Sequence, residues 1–449
     1  MGQGEPGKLA AGVRNLLQAL FHFEYSRFGS LILSYSIEFG KMSKLSNKTK
    51  VSIELDALHA APLAAQQAHG YADTLREILQ QPATWSDTAE LLRQPQLREL
   101  MQAALVPRPS HIVLTGSGSS MYIGECLAPS LQVELGIPAQ AIAAGSLLTH
   151  WRSVLPPGAG LLISLARSGD SPESCGVVDR LLADAPDYRH MVITCNANGK
   201  LATRYRNDPR VTVLVLDERT NDRSLVMTSS FTNLLLAGFG LVQRGGSDAL
   251  AAVTRLARGV QRIFDEQADA LATVARGEFG NVVYLGSGGA LGAAHECALK
   301  MLEMTGGAVV TVAETYLGLR HGPMSSLDDR TLVVGFLSPD PAVRAYELDL
   351  LRELSRKQLG MTRVLVGEHI PADVLGPHDV GIEQAGLGAT DDALPLLADV
   401  VVGQLLAFFR CLELGGKPDT PSQGVLTRVV EHFPMHRERS SESEHEGDA

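Results

Sequence analysis

Glu296, Lys300 and Glu303 are separated by four and then three positions. On an α-helix that spacing brings all three to one face. A histidine, His321, follows in a His-Gly-Pro triplet. Two carboxylates, an ammonium and an imidazole gathered after one glycine turn form a set able to move protons on a small molecule. The same glutamate-to-lysine order is also that of an ordinary solvent-facing helix pair, worth about 0.2–0.5 kcal/mol. Spacing alone does not choose between the two readings.

The elements that must position these groups are legible around them. NVVYLGSGG, beginning at Asn281, reads as a strand followed by a turn at Gly286, Gly288 and Gly289. A helix is predicted over about residues 291–304, and a loop leads to His321. The same pattern occurs earlier: TGSGSS at Thr115 corresponds to LGSGGA at Leu285, ECLA at Glu125 to ECAL at Glu296, and Ser168 to Ser338. The offset is 170 or 171 residues throughout, which argues for two copies of one α/β unit. Strands are predicted at HIVLTG, GLLISLA, HMVITCN and VTVLVLD in the first copy, and at NVVYLG, TLVVGFLS and TRVLVGE in the second. Their near-continuous apolar runs suit parallel strands covered on both faces.

The two copies differ in their turns. In the first, GSGSS (residues 116–120) and ARSGDS (residues 166–171) are rich in glycine and hydroxyls, and both open a helix. Helix-start amides and hydroxyl donors suit phosphate oxygens. The second copy has GSGGA and LSPDP there, with fewer hydroxyls. The first copy is therefore expected to hold phosphate and the second to supply the charged helix. No GK[ST] follows the first turn and it is not a strict GxGxxG, which disfavours nucleoside triphosphates and dinucleotides.

The 449 residues exceed a single ordinary core. The boundaries expected are an extension over residues 1–41 and a helical lead-in over 42–105. A first α/β domain follows over 106–247, then a linker helix over 248–275 and a second domain over 276–416. A carboxyl-terminal segment with a polar, disordered tail completes the chain at 417–449. Met42 begins like a fresh amino terminus and is expected to be the natural start. Pro82 and Pro95 are expected to break the lead-in into two or three helices, with Thr84, Ser86 or Asp87 capping one that starts near Thr88. A net charge of −11 argues against general nucleic-acid binding. Residues 1–41 contain no uncharged run long enough to cross a membrane. Five cysteines without a CxxC pair fit a reducing, cytoplasmic compartment. HECAL at His295 lacks the second histidine of the HExxH zinc motif, so no metal is expected there.

These motifs resemble the sugar isomerase (SIS) family, and residues 106–416 look like a tandem pair of its domains. GSGSS, SLARSGDSPES and ECALKMLEMTGGAVVTVAETYLGLRHGP carry the resemblance. The last is similar to the isomerase half of glucosamine-6-phosphate synthase. SLARSGDSPES, HMVITCNANG and SLVMTSSFTN are nearest to the galactosamine-6-phosphate deaminase/isomerase subfamily, also labelled tagatose-6-phosphate ketose/aldose isomerase. The resemblance implies a doubly wound, flavodoxin-like sheet in each domain and a sugar-phosphate substrate. It implies that Ser119, Ser120, Ser168 and Ser171 hold the phosphate beside Gly118 and Arg167, and that Glu303 is the base at carbon 2. It further implies that His321 opens the ring, reaching in from a second subunit of a homo-oligomer, and that Lys300 and Glu296 line the pocket. No metal or organic cofactor is expected. Two departures stand out. No cysteine precedes Cys126, so a glutaminase is not expected, and PSQGVLTRVV offers Thr427 and Arg428 where the synthase has a lysine.

Overall fold

A computed structural model describes residues 52–242, 247–387, 393–430 and 433–436. Five parallel strands form a first sheet: β1 (Ile112–Thr115), β2 (Ala139–Ala141), β3 (Leu161–Ala166), β4 (Arg189–Thr194) and β5 (Val211–Val215). Five more form a second: β6 (Asn281–Leu285), β7 (Val310–Glu314), β8 (Thr331–Phe336), β9 (Thr362–Gly367) and β10 (Val380–Glu383). The strand orders are β2-β1-β3-β4-β5 and β7-β6-β8-β9-β10. Both are the doubly wound 2-1-3-4-5 order that places a switch point outside the first and third strands. The parallel α/β fold expected from the apolar runs is the fold observed.

Five lead-in helices precede the first sheet: α1 (Ile53–Ala60), α2 (Leu63–His69), α3 (Ala72–Leu79), α4 (Gln81–Arg93) and α5 (Pro95–Ala104). The expectation of two or three helices is corrected here. Pro82 and Pro95 lie in the first turns of α4 and α5, where proline forgoes no hydrogen bond and its fixed φ suits the helix. Thr84, Ser86 and Asp87 lie inside α4 and cap nothing; Ser86 Oγ instead donates to the Pro82 carbonyl at 3.1 Å.

The first sheet carries α6 (Ser119–Leu135), α7 (Ala144–Val154), α8 (Pro172–Asp184) and α9 (Ser229–Phe239). α10 (Ser247–Arg262) runs through a π turn at Ile263–Gln267 into α11 (Ala268–Ala275). The second sheet carries α12 (Gly289–Met304), α13 (Pro341–Lys357) and α14 (Pro395–Glu413). By length and composition α14 is apolar enough to cross a membrane, but 94% of that stretch is buried inside the protein, as a core helix would be.

Gly118 and Gly288, each just before the helix that follows its glycine turn, share one backbone conformation, φ 56° and 57° with ψ −128°. A side chain there would be strained. The two turns are thus one device used twice. Between the halves, α12 packs against both α6 and α14. A Cβ at Gly292 would sit 2.7 Å from the Cys126 amide nitrogen, and one at Gly403 would sit 2.2 Å from Cys297 Sγ. Glycine at these contacts lets the backbones approach closely enough to join both sheets through one buried apolar core.

β2, β7 and β10 were not expected from the sequence. They are short sheet edges with partly exposed faces, and an edge strand need not carry the unbroken apolar run of a central one. The extension over residues 1–41, Met42 and the tail from residue 437 lie outside the described residues.

Candidate active site

α12 presents the charged row. Glu296 is fully buried, Lys300 is 1% exposed and the Glu303 side chain is 23% exposed. Lys300 Nζ donates to Glu303 Oε2 and lies 3.6 Å from Glu296 Oε1. Among the described residues, neither oxygen of Glu296 has a hydrogen-bond partner of good geometry. Burial pushes the Glu296 carboxyl up to about 8, against the pull of Lys300. Burial alone would lower the Lys300 ammonium, but Glu296 and Glu303 outweigh it and hold it above the usual lysine value. This is not a solvent-facing helix pair: the buried cation is tolerated because the Glu303 carboxylate takes its hydrogen bond and the Glu296 carboxyl lies beside it. Glu303 is the member of the row that reaches solvent.

The loops of the first half close on this row. Ser119, first residue of α6, lies close enough to Glu296 to favour its charged form. A Cβ on Gly118 would stand 4.0 Å from Leu299 of α12. Arg167, in the turn after β3, is buried; burial lowers its guanidinium below the usual arginine value, while Asp222 and Glu303 act in the other direction. It also acts on Lys300. The phosphate-type turns of one half and the charged helix of the other therefore share one site.

The remaining serines are placed differently. Ser120 is buried, with its hydroxyl 3.9 Å from Met227 Sδ. Ser168 Oγ accepts from the Asp170 amide at 3.3 Å, and Asn196 Nδ2 holds the Ser168 carbonyl at 2.8 Å. Ser171 Oγ donates to Glu173 Oε2 at 2.6 Å, so that hydroxyl is already engaged. His321 is exposed, in the turn after β7; its amide donates to the Gly318 carbonyl at 2.9 Å. Among the described residues no hydrogen bond or ion pair joins His321 to the α12 row. Arg428 Nη2 lies 2.5 Å from Asn221 Oδ1.

One cluster at this junction went unread in the sequence. His295 Nδ1 hydrogen-bonds Glu125 Oε2 at 2.6 Å, and the Tyr122 ring stacks on His295 with centroids 5.2 Å apart. The signal was present in the repeat, since Glu125 is the counterpart of Glu296. In the sequence HECAL draws the eye to His295 as a metal ligand. Its bond to Glu125 accounts for it instead.

Known proteins place the chain. An AgaS protein of Streptomyces coelicolor is 38% identical over 380 residues, covering 81% of this chain and 95% of that one. The D-galactosamine-6-phosphate deaminase AgaS of Escherichia coli is 34% identical over 378 residues, with the same coverage. The chain belongs to the AgaS family. The crystal structure of tagatose-6-phosphate ketose/aldose isomerase from Escherichia coli superposes with a TM-score of 0.73 at 30% identity, covering 84% of this chain and 99% of that one. No family model matches the chain. The AgaS relatives are matched along nearly their whole length, so both halves and the junction between them belong to the family pattern.

Proposed function

We propose that this chain is an amino-sugar-phosphate deaminase/isomerase that converts D-galactosamine 6-phosphate to D-tagatose 6-phosphate and ammonia. The observation that carries the reading is the buried Glu296–Lys300–Glu303 row facing Arg167 and Ser119 from the other half. It sits in a chain one-third identical to AgaS deaminases over their length.

In this reading Ser119, Ser120 and Ser168, with the Gly118 turn and Arg167, take the 6-phosphate, and Ser171 joins them when its hydroxyl turns from Glu173. A bound dianion balances the buried Arg167 guanidinium. Anchoring at the phosphate spends remote binding energy on placing carbon 2 against Glu303. His321 passes a proton between ring oxygen and anomeric oxygen, which opens the ring. Glu303 removes the proton on carbon 2, acidified by the carbon 1 aldehyde, and returns it to carbon 1. As the carbon 1 oxygen takes up a proton and the carbon 2 amine gives one up, the nitrogen becomes a ketimine, which water hydrolyses to ammonia and a ketose phosphate. Lys300 orients Glu303 through their hydrogen bond. General acid–base steps of this kind contribute about 10²–10⁴ each.

His321 belongs to the site through a homo-oligomer. It is exposed in the segment that follows the edge strand β7, on which Val310 is 58% exposed and Val312 is also exposed. An apolar edge strand of this kind is suited to burial against a second copy.

The test is to assay ammonia release and ketose formation with galactosamine 6-phosphate and glucosamine 6-phosphate. Stoichiometric ammonia and ketose from the galacto substrate are expected. Ketose formation only from neutral aldose phosphates, with no ammonia from either amino sugar, would replace deamination by plain isomerisation.

A further inference from the structure

Glu77 on α3 is 1% exposed and lies outside the row of α12. Its Oε1 accepts from the Arg223 amide at 2.6 Å, and its Oε2 accepts from the Ser224 amide at 3.3 Å and from the Ser224 hydroxyl. The segment it grips then turns its own carbonyls to Arg167. Among the described residues, both hydrogen bonds of that guanidinium leave from Nη1, to Ser224 O at 3.1 Å and Leu225 O at 2.8 Å. Leu225 is fixed from a third side, its amide donating to the Asp419 carbonyl at 3.1 Å. Asp419 in turn holds the start of α3 through the Thr74 amide at 2.7 Å and the Thr74 hydroxyl at 2.8 Å. A lead-in helix and a carboxyl-terminal segment thus clamp one short turn, and that turn aims one arginine.

We propose that Glu77 is a positioning residue for sugar-phosphate binding: it holds the 223–225 turn so that the Ser224 and Leu225 carbonyls direct the Arg167 guanidinium at the 6-phosphate. This rests on the reading of Arg167 as a phosphate contact. Carbonyls pointed at a guanidinium fix its plane, and a planar donor fork binds phosphate well only when correctly aimed.

The device is sensitive to pH. The groups facing Glu77 are Arg76 on its own helix, Asp222 and the Ser224 donors on the turn, and Arg167 beyond them. Burial, then the Asp222 charge, raise the Glu77 carboxyl to about 7, while Ser224, the Arg223 amide and Arg76 pull it back. Below that value the carboxyl gains a proton and its charge-assisted bonds to the turn weaken. Arg167 then loses its fixed aim, and KM for the sugar phosphate rises as pH falls. The phosphate itself takes a proton near pH 6, so the comparison must be between variants at the same pH.

The experiment measures kcat and KM for D-galactosamine 6-phosphate from pH 6 to 9 in wild type, Glu77→Gln, Arg167→Gln and the double variant, all as the full chain. Loss of a charged hydrogen-bonded anchor corresponds to about a tenfold change. Expected for Glu77→Gln is a KM about tenfold higher at pH 8, kcat within about threefold, and a smaller rise in KM between pH 8 and 6 than wild type shows. The double variant should bind no worse than Arg167→Gln alone, since the two act as one unit. Should Glu77→Gln fail to fold, Ser224→Ala replaces it, with a smaller KM rise in the same direction. A KM increase in Arg167→Gln that simply multiplies with that of Glu77→Gln overturns the proposal and leaves Arg167 in place. An unchanged KM in Arg167→Gln overturns the reading of the phosphate site itself.

Discussion

The two halves of this chain repeat one sheet order and one glycine conformation, yet the turns beside the two switch points are filled differently. In the second half, the Ser338 amide, 170 positions after Ser168, donates to Glu347 Oε2 at 2.8 Å. The Ser287 hydroxyl also reaches the Glu347 carboxylate. Glu347 is 1% exposed on α13. The two helices begin at Pro172 and Pro341, and at the seventh position of α8, where α13 has Glu347, stands Val178, a fully buried apolar residue. The Ser338 amide is thus occupied by the protein's own carboxylate, whereas in the proposed reading the first-half turn takes the sugar phosphate. The half whose turn is filled by Glu347 is the one that carries the acidic helix α12.

Exchanging the two residues tests that contrast, and the largest effect on binding is expected from Val178→Glu. A carboxylate there reaches the first-half donors as Glu347 reaches its own. Calorimetric titration should show affinity for the sugar phosphate falling by about a hundredfold, about 2.7 kcal/mol, in protein that still melts cooperatively. Undiminished affinity would break the comparison.

On stability the largest effect is expected from Lys300→Met. It leaves Glu296 and Glu303 without their cation, so denaturant unfolding should register a loss of about 3–5 kcal/mol, the range for breaking a buried pair from one side.

The pH dependence of stability comes third. The Glu296 carboxyl, raised in the folded chain to about 8 from 4.5, keeps its proton through a window in which the unfolded chain has lost it. Its contribution is therefore fully present below about pH 4.5 and fades as pH climbs to 8. Asp399, also near 8 through burial, acts in the same direction. Thermal melts from pH 5 to 8 should show stability falling with pH, and Glu296→Gln should flatten that slope; an unchanged slope would mean that the carboxyl is already ionised.

The smallest effect is expected for Glu347→Val, the reverse exchange. It removes a buried acid whose own burial disfavours its charge, but it strands the Ser338 amide. Stability should change by about 1–2 kcal/mol and KM for the sugar phosphate should stay within about twofold.

Much of this arrangement is legible in the sequence because its causes are local. The central strands are fully buried and so read as unbroken apolar runs, and the glycine turns sit next to them. The spacing of Glu296, Lys300 and Glu303 fixes their common face. Burial is what decides between a catalytic row and a surface ion pair, and burial depends on α6, more than 150 residues away. The same distance hides Glu77, whose partners lie 146 and 147 positions along the chain. Glu347 reads as an ordinary helix residue until Ser338 and Ser287 are seen around it. Pro82 and Pro95 misled because proline both ends and begins helices, and only the chain before it tells which.

The measurement that bears most directly on the union of the two halves is a paired one on Glu303→Gln: sugar-phosphate affinity by calorimetry and deamination rate by ammonia release, on the same preparation. The first half should still hold the phosphate, with Kd within about threefold of wild type, while kcat falls by about 10²–10⁴, the size of one general-base contribution. A variant that turns over at near the wild-type rate would take the carbon 2 proton away from α12 and contradict the division of labour between the halves.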